Sequence, residues 1–313
     1  MKKLKLLLIM RDFRQWNNPK QYYLGRELAE ITDLVIWHEE GNIHDILKQI
    51  RFQPDFILIM YYRSNPVICP PITGLNTLTI PFGVFIMDLH NLNQFKRAVQ
   101  EDNVQHIFSC YRDRFYRHFP ELSDRMKWLP QHVPTDIFKD YNQRKDIDLL
   151  MLGTISKTIY PLRYKIHQTL KSYPNYLYHS PPTSRYIQKG QTGFIRENYA
   201  KQINRAKIFF TCDSIFEYPI LKYFEAPACR TLLFAPYSNE LRDLGFIPGK
   251  NFVAIDEHNF LDQANYYLKN EKERQIITDQ GYEFIRKNHS TKVRAKQLVN
   301  MIEEIIKSNK SKR

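Results

Sequence analysis

The sequence contains only four cysteines, Cys69, Cys110, Cys212 and Cys229, in 313 residues. They lie far apart, without the paired spacing of a metal site or the density of a small disulfide-stabilised domain. Both of those classes are therefore excluded, and the reducing cytoplasm is the expected compartment.

Long apolar runs are missing as well. The longest near the start, residues 6–10, ends before Arg11 and Asp12, far short of the roughly 18 to 20 residues that span a bilayer. It is also too short for the apolar region of a signal peptide. We therefore expect neither a transmembrane helix nor a secretion signal.

The 10 glycines form neither a Walker loop nor Gly-x-Gly-x-x-Gly, which disfavours kinases and dehydrogenases. No His, Asp or Glu cluster has metal-ligand spacing, and no Asp-x-Asp follows a predicted strand. We therefore expect a protein that works without a bound metal.

What the sequence does contain is typical of a folded protein. Hydrophobic residues make up 43% and charged residues 25% of the chain, which excludes disordered and fibrous classes. The length predicts two domains or one large α/β domain.

Positive charge is concentrated in the second half of the chain. The net charge is +13, and residues 157–207 hold ten basic residues against the single acid Glu197. Such a field suits phosphate groups, an anionic lipid surface or nucleic acid, or it is a solvated face that keeps the protein soluble. Charge alone does not choose among these.

Short apolar runs alternate with amphipathic stretches, a pattern that predicts βα units on parallel sheets. Strands are predicted near residues 4–10, 34–37, 56–60, 82–87, 106–109, 127–129, 148–152, 176–178, 208–211, 231–234 and 252–255. Helices are predicted near residues 22–31, 43–51, 92–101, 113–119, 162–172, 199–204, 220–226, 258–269, 271–288 and 291–308. A Pro-containing and then polar stretch at 129–145 separates two such series, which indicates a domain linker.

The most specific stretch runs from Glu217 to Arg230. Glu217 and Glu225 are separated by seven residues, and Pro219 predicts a helix whose first turn lies there, with Glu217 just before it and Glu225 inside it. Two glutamates at this spacing also occur by chance, so the flanking Lys222-Tyr-Phe and Ala-Pro-Ala-Cys carry most of the information.

This stretch resembles the E-x7-E element of GT-B glycosyltransferases, in the form found in the spore-maturation CgeB-like group. Further matches are Trp128-Leu-Pro130 with Asp136-Ile-Phe138, and Gly153-Thr154 followed by Tyr160-Pro161-Leu162-Arg163. The sequence departs from the family at Arg230, where the usual residue is a glycine that lets the chain turn into the next strand.

The resemblance implies an α/β protein of the GT-B fold, with two Rossmann-like, doubly wound domains facing an interdomain cleft. Residues 1–138 would bind the acceptor, residues 139–290 would bind the donor, and the helix near 291–308 would cross back to the first domain. The donor would be a nucleotide-diphosphate sugar, with UDP, GDP and dTDP all open, and no further cofactor is implied.

The resemblance also implies roles for named residues. Glu225 would accept from the ribose hydroxyls and Glu217 from hydroxyls of the donor sugar. Lys222, Arg163 and the backbone of Gly153 and Thr154 would neutralise the leaving diphosphate. Arg163 is alternatively a solvated residue on its predicted helix.

On the acceptor side, Asp88 and His90 follow a predicted strand and are candidate catalytic groups. Asp88 is alternatively a helix cap and His90 a hydrogen-bonded loop histidine. The resemblance favours a retaining reaction, in which the leaving diphosphate assists the acceptor hydroxyl, over an inverting one, which needs such a base.

The sequence thus predicts a metal-independent glycosyltransferase of the cytoplasm acting on a cell-envelope or spore-surface glycan, a lipid-linked acceptor or a protein. The basic second half further predicts peripheral binding to an anionic membrane on its inner face. A nucleic-acid-binding module that uses the surface at 157–207 and an inactive structural relative of these enzymes are the alternatives; as a transferase, the protein is not expected to bind nucleic acid.

Overall fold

The computed structural model describes residues 3–87, 89, 92–181 and 195–311. They form two compact units. Unit 1 comprises the described residues of Met1–Arg14, Gln21–Pro130 and Lys292–Arg313, and unit 2 comprises Gln15–Lys20 and those of Gln131–Thr291.

Unit 1 alternates strands and helices. In chain order its elements are β1 (Lys5–Ile9), α1 (Lys20–Ile31), β2 (Asp33–Trp37), β3 (Gly41–Asn42), α2 (Ile43–Ile50), β4 (Phe56–Met60), β5 (Ile72–Thr73), β6 (Phe82–Ile86), α3 (Leu92–Glu101), β7 (Ile107–Ser109), α4 (Arg112–His118) and β8 (Met126–Trp128). Short 3-10 helices cover Leu75–Thr77 and Pro120–Arg125.

Six of these strands form one parallel sheet in the order β2-β1-β4-β6-β7-β8. Every residue of β4 and β6 is buried, which is why these strands are continuous apolar runs rather than alternating patterns. The short strands β3 and β5 pair separately and were not predicted.

Unit 2 repeats the arrangement. Its elements are β9 (Ile147–Leu152), α5 (Pro161–Leu170), β10 (Tyr176–His179), α6 (Arg196–Asn204), β11 (Ala206–Phe210), α7 (Lys222–Ala228), β12 (Leu232–Ala235), α8 (Asn239–Asp243), β13 (Val253–Ala254), α9 (Phe260–Lys269) and α10 (Glu271–Asn288). A last helix, α11 (Thr291–Ser311), belongs to unit 1 from Lys292 onward.

The sheet of unit 2 is parallel, with the strand order β10-β9-β11-β12-β13. Its core is aromatic: the rings of Phe210 and Phe234, on neighbouring strands, meet edge to face with centroids 5.3 Å apart. Helix α10 approaches closely at Gly281, where a Cβ atom would lie 2.6 Å from the carbonyl oxygen of Asn251. Only glycine fits there.

The prediction that Pro219 lies in the first turn of the helix is wrong. Helix α7 begins at Lys222, because the carbonyls of Ile220 and Leu221 accept the first hydrogen bonds, from the amides of Tyr223 and Phe224. Glu217 therefore lies in the loop before α7, and Glu225 lies inside the helix.

Arg230 adopts the backbone conformation of the glycine that the resemblance led us to expect at this position. It is left-handed, with φ +52°, and its amide donates to the Pro227 carbonyl while the amide of Thr231 donates to Ala226. These two bonds are those of a Schellman motif at the end of α7. The guanidinium of Arg230 in turn donates to Asp140 and Asp279, at 3.0 and 2.7 Å.

The apolar stripe of α11 is buried: Leu298, Ile302 and Ile305 are all shielded from water. Within the described parts of the chain, no helix combines the length and the apolar character needed to cross a bilayer.

We predict that Arg230→Ala destabilises the protein more than Arg230→Gly. Alanine keeps the left-handed strain, worth about 1 kcal/mol, and loses two ion pairs worth roughly 0.2–1 kcal/mol each. Glycine loses the same ion pairs but removes the strain. Urea denaturation of both variants measures the difference, and equal midpoints would show that the left-handed conformation costs nothing here.

Candidate functional site

The strand order of unit 2 places a crevice at one edge of its sheet. In doubly wound sheets a ligand binds outside the carboxyl ends of the strands where the order reverses, here between β9 and β11. Gly153 follows β9 and Cys212 follows shortly after β11. Functional side chains are expected at these two positions.

A cavity of about 190 Å³ opens on this edge. Its lining residues come from the ends of β9 and β10, from α6 and α7, and from two other segments of unit 2. They are Asn17, Asn18, Pro19, Ile137, Phe138, Leu152, Gly153, His179, Ser180, Pro181, Ile195, Arg196, Tyr199, Leu221, Lys222 and Glu225. The cavity thus brings together Gly153, Lys222 and Glu225 of the residues predicted from the sequence.

Glu225 is the buried acid of this cavity, with 6% of its surface exposed. The Tyr199 hydroxyl donates to its Oε2 at 3.1 Å. Burial raises the pKa of the Glu225 carboxyl, although the nearby Lys222 ammonium and the Tyr199 hydrogen bond act in the opposite direction. A buried carboxylate has two acceptor oxygens and is suited to accept hydrogen bonds from a ligand's hydroxyl groups.

Two cations meet behind Gly153. This glycine has φ +124°, and a Cβ on it would lie 3.1 Å from both Arg163 Nη1 and Lys222 Cε. Burial lowers the pKa of the Lys222 ammonium. Position 153 must therefore have no side chain if both cations are to approach the cavity wall.

Arg163 is not solvated, so the alternative reading of it as a surface residue is wrong. Only 2% of it is exposed; its Nη1 donates to the Thr154 carbonyl at 2.9 Å and its Nη2 to the Cys212 carbonyl at 3.2 Å. It thereby ties the loop after β9 to the loop after β11. Its Nε has no hydrogen-bond partner among the described residues.

Backbone groups of Gly153 and Thr154 already form hydrogen bonds within the protein. The Gly153 amide donates to the His179 carbonyl at 3.0 Å, and the Thr154 carbonyl accepts from Arg163. The Thr154 side chain is exposed. The positive charge behind this turn thus comes from side chains.

Glu217 does not line the cavity. It is exposed and left-handed, with φ +57°, in the loop between β11 and α7. In the same loop, burial and, to a smaller extent, the negative charge of Glu217 raise the pKa of Asp213 to about 6. Asp213 was missed in the sequence, although it follows a predicted strand, as Asp88 does.

Asp88 and His90, the two candidates predicted on the acceptor side, lie outside the described residues. Their roles stay predictions. Among the residues that are described, no three or more His, Cys, Asp or Glu side chains come together as ligands for a metal ion.

A short N-terminal segment that no sequence pattern indicates also forms part of the cavity wall. Residues 15–20 belong to unit 2, where Arg196 donates two hydrogen bonds to the Trp16 carbonyl, at 3.2 and 3.0 Å. The Lys20 ammonium donates to Gln131. These contacts hold Asn17 and Asn18 against the cavity.

Comparisons with known proteins agree with this architecture. Residues 150–300 match a family described as glycosyl transferase-like. Comparison with curated proteins by sequence finds no match. The fold is that of GT-B glycosyltransferases, and the CgeB-like assignment stays a prediction.

Three solved structures illustrate the likeness. Sucrose-phosphate synthase from Thermosynechococcus elongatus has a TM-score of 0.67 at 11% identity, covering 98% of this chain and 100% of that one. HepE from Anabaena, in complex with UDP and glucose, has a TM-score of 0.61 at 7% identity, with coverages of 96% and 100%. A glycosyltransferase from Rickettsia africae has a TM-score of 0.62 at 9% identity, with coverages of 98% and 100%.

We predict that Glu225→Gln stabilises the ligand-free protein increasingly as the pH rises. Because burial raises the folded-state pKa of Glu225 above its ordinary value, the wild type loses stability once the pH exceeds the unfolded-state pKa. Glutamine carries no charge and escapes this loss. Urea denaturation between pH 4.5 and 8 measures the gap between the two proteins.

The exposed Glu283→Gln in α10 is the matched control and should show no such widening. A gap between Glu225→Gln and the wild type that stays constant or narrows as the pH rises would contradict the assignment of a costly buried charge.

Proposed function

We propose that this chain, which has the GT-B fold, is a glycosyltransferase that transfers a sugar from a nucleotide-diphosphate donor bound in the unit 2 cavity to an acceptor bound by unit 1. The observation that supports it most is the position of Glu225, Lys222 and Gly153 around one cavity, with Arg163 behind the glycine. A buried acid beside two cations suits a ligand that has both a diol and a diphosphate.

The nucleoside is the part that Glu225 would bind. Its carboxylate can accept from both ribose hydroxyls, and the hydrogen bond from Tyr199 fixes the orientation of the carboxylate before the ligand arrives. The complexes of HepE with UDP and with UDP-glucose support a UDP-sugar as the first donor to test, ahead of GDP- and dTDP-sugars.

The diphosphate is the part that Lys222 and Arg163 would stabilise. Negative charge grows on the leaving group as the bond to the sugar breaks, so cations placed near it beforehand lower the barrier. Burial strengthens this effect because little water is present to screen it. Arg163 is held in place by its hydrogen bonds to the Thr154 and Cys212 carbonyls rather than recruited by the ligand.

Glu217, which lies outside the cavity in the loop before α7, would accept from hydroxyls of a donor sugar that extends out of the cavity, in a reaction that retains the anomeric configuration. In that case the leaving diphosphate takes the acceptor proton. Asp88 or His90 would be needed as the base only in an inverting reaction.

The acceptor would be a cell-envelope or spore-surface glycan, a lipid-linked sugar or a protein. The exposed basic residues of 157–207, such as Lys157 and Lys171, would hold the enzyme at an anionic membrane on its cytoplasmic face.

The test separates binding from turnover. Glu225→Gln should weaken UDP and GDP binding roughly tenfold to a hundredfold, because a hydrogen bond to a charged group is worth about 1.5–3 kcal/mol, and should weaken dTDP binding less, because its deoxyribose has no 2′-hydroxyl. Glu217→Ala should leave that binding unchanged and lower kcat of sugar transfer or donor hydrolysis. Thermal-shift titration with UDP, GDP and dTDP measures the first effect, and hydrolysis of the corresponding UDP-, GDP- or dTDP-sugar measures the second.

Glu283→Gln again serves as the control, with wild-type values in both assays. If Glu225→Gln binds all three nucleotides as tightly as the folded wild type does, the cavity is not the nucleotide site.

A further prediction concerns metal dependence. Because Lys222 and Arg163 supply the positive charge for the diphosphate, turnover of the donor should be unchanged by excess EDTA. Replacing Lys222 by methionine should lower it severely in the same buffer. An activity that EDTA abolishes and Mg²⁺ restores would show that the cations of the fold are insufficient.

A further inference from the structure

Unit 1 contains two adjoining cavities to which no role has been given. One is about 230 Å³ and the other about 390 Å³, and Arg63 and Gln94 line both. They lie between the loop that follows β4 and helix α3. A single ligand can therefore occupy both.

The two cavities differ in character. The smaller one is walled by apolar side chains, including Ile59, Cys69, Ile72 and Leu75. The larger one is lined by Arg97 and Glu101 in addition to the two shared residues. Most of the side chains that line it therefore end in a guanidinium, amide or carboxylate group. The pair suits a ligand with one apolar end and one hydrogen-bonding end.

The charges around the larger cavity are balanced. Arg63 Nη2 lies 2.6 Å from Asp102 Oδ2, and Arg97 and Glu101 are one helical turn apart with opposite charges. A ligand with a net charge would gain little from this balance, whereas sugar hydroxyl groups can both donate to carboxylates and accept from guanidinium and amide groups.

The Arg63 guanidinium is held in position by Asp102. The Tyr62 hydroxyl donates to the same Asp102 oxygen at 2.6 Å, and the Arg63 side chain remains 41% exposed. The backbones of Tyr61 and Arg63 are both left-handed, with φ +56° and +53°. Residues other than glycine adopt this conformation only when the fold enforces it. Such backbone conformations cluster at ligand sites.

From these observations we propose that the paired cavities bind a neutral glycoside with an apolar aglycone, with the sugar at Arg63, Gln94 and Arg97 and the aglycone against Ile72 and Leu75. That this ligand is the acceptor rests on the proposed function. If so, the acceptor is of the lipid-linked class rather than a protein or a soluble glycan.

Octyl β-glucoside below its micelle concentration is a suitable probe, with methyl β-glucoside, octanol and octyl phosphate as comparisons. Thermal shift should show the tightest binding for octyl β-glucoside. Arg97→Ala and Gln94→Ala should each weaken it about two- to tenfold, as expected for a lost hydrogen bond. Both side chains are exposed, so folding should be unaffected. Arg117→Ala, an exposed arginine of α4, should bind as the wild type does.

Cys69 gives a second readout that identifies the site. Octyl β-glucoside should slow its alkylation by N-ethylmaleimide, measured by peptide mass spectrometry, while Cys110, which is buried in the same unit as Cys69 is but lines neither cavity, should react at an unchanged rate. Equal binding of octanol or octyl phosphate, equal effects of Arg97→Ala and Arg117→Ala, or an unprotected Cys69 would each overturn the proposal. None of these measurements uses a nucleotide, so their failure is distinguishable from failure of the donor site, which the Glu225 variants report.

Discussion

The carboxylate of Glu225 is removed from water inside unit 2, and much of the surrounding structure limits the cost of that removal. Burial disfavours the charged form, while Lys222 and the Tyr199 hydroxyl favour it. The lysine in turn loses water, and burial lowers its pKa. The free protein thus keeps an imperfectly compensated group, and a ligand with hydroxyl groups and phosphates would complete the compensation. Under the proposed function, stability and ligand binding therefore compete at this position.

Arg163 connects this cluster to the sheet. By donating to carbonyls after β9 and near the end of β11, it fixes the two loops that flank the reversal of strand order. A bare Gly153 is needed for its guanidinium to come this close. The arginine thus has a structural function whatever it contributes to a ligand, and its replacement would disturb the loops as well as the local charge.

The excess positive charge in the second half of the chain does not behave as one field. Arg163 is buried in a hydrogen-bonded position, Arg205 and Lys207 pair with Asp146 and Asp148, and Arg196 holds the Trp16 carbonyl. Exposed cations such as Lys157 and Lys171 remain available to an anionic surface. Residue counting alone therefore overstates the charge that a membrane would meet.

The sequence by itself determined the parallel α/β architecture and the position of Glu225 within a helix. The spacing of apolar residues indicates whether a segment is buried on one face or on both. This spacing can be read within a stretch of a few residues. The sequence did not indicate that Pro219 precedes the helix. It also did not indicate that Arg230 would adopt the left-handed conformation of a glycine, because Asp140 and Asp279, which bind the Arg230 guanidinium, are distant in the chain. Nor did it indicate that residues 15–20 would line the cavity. That contact joins residues as far apart as Trp16 and Arg196, and only the path of the folded chain brings them together.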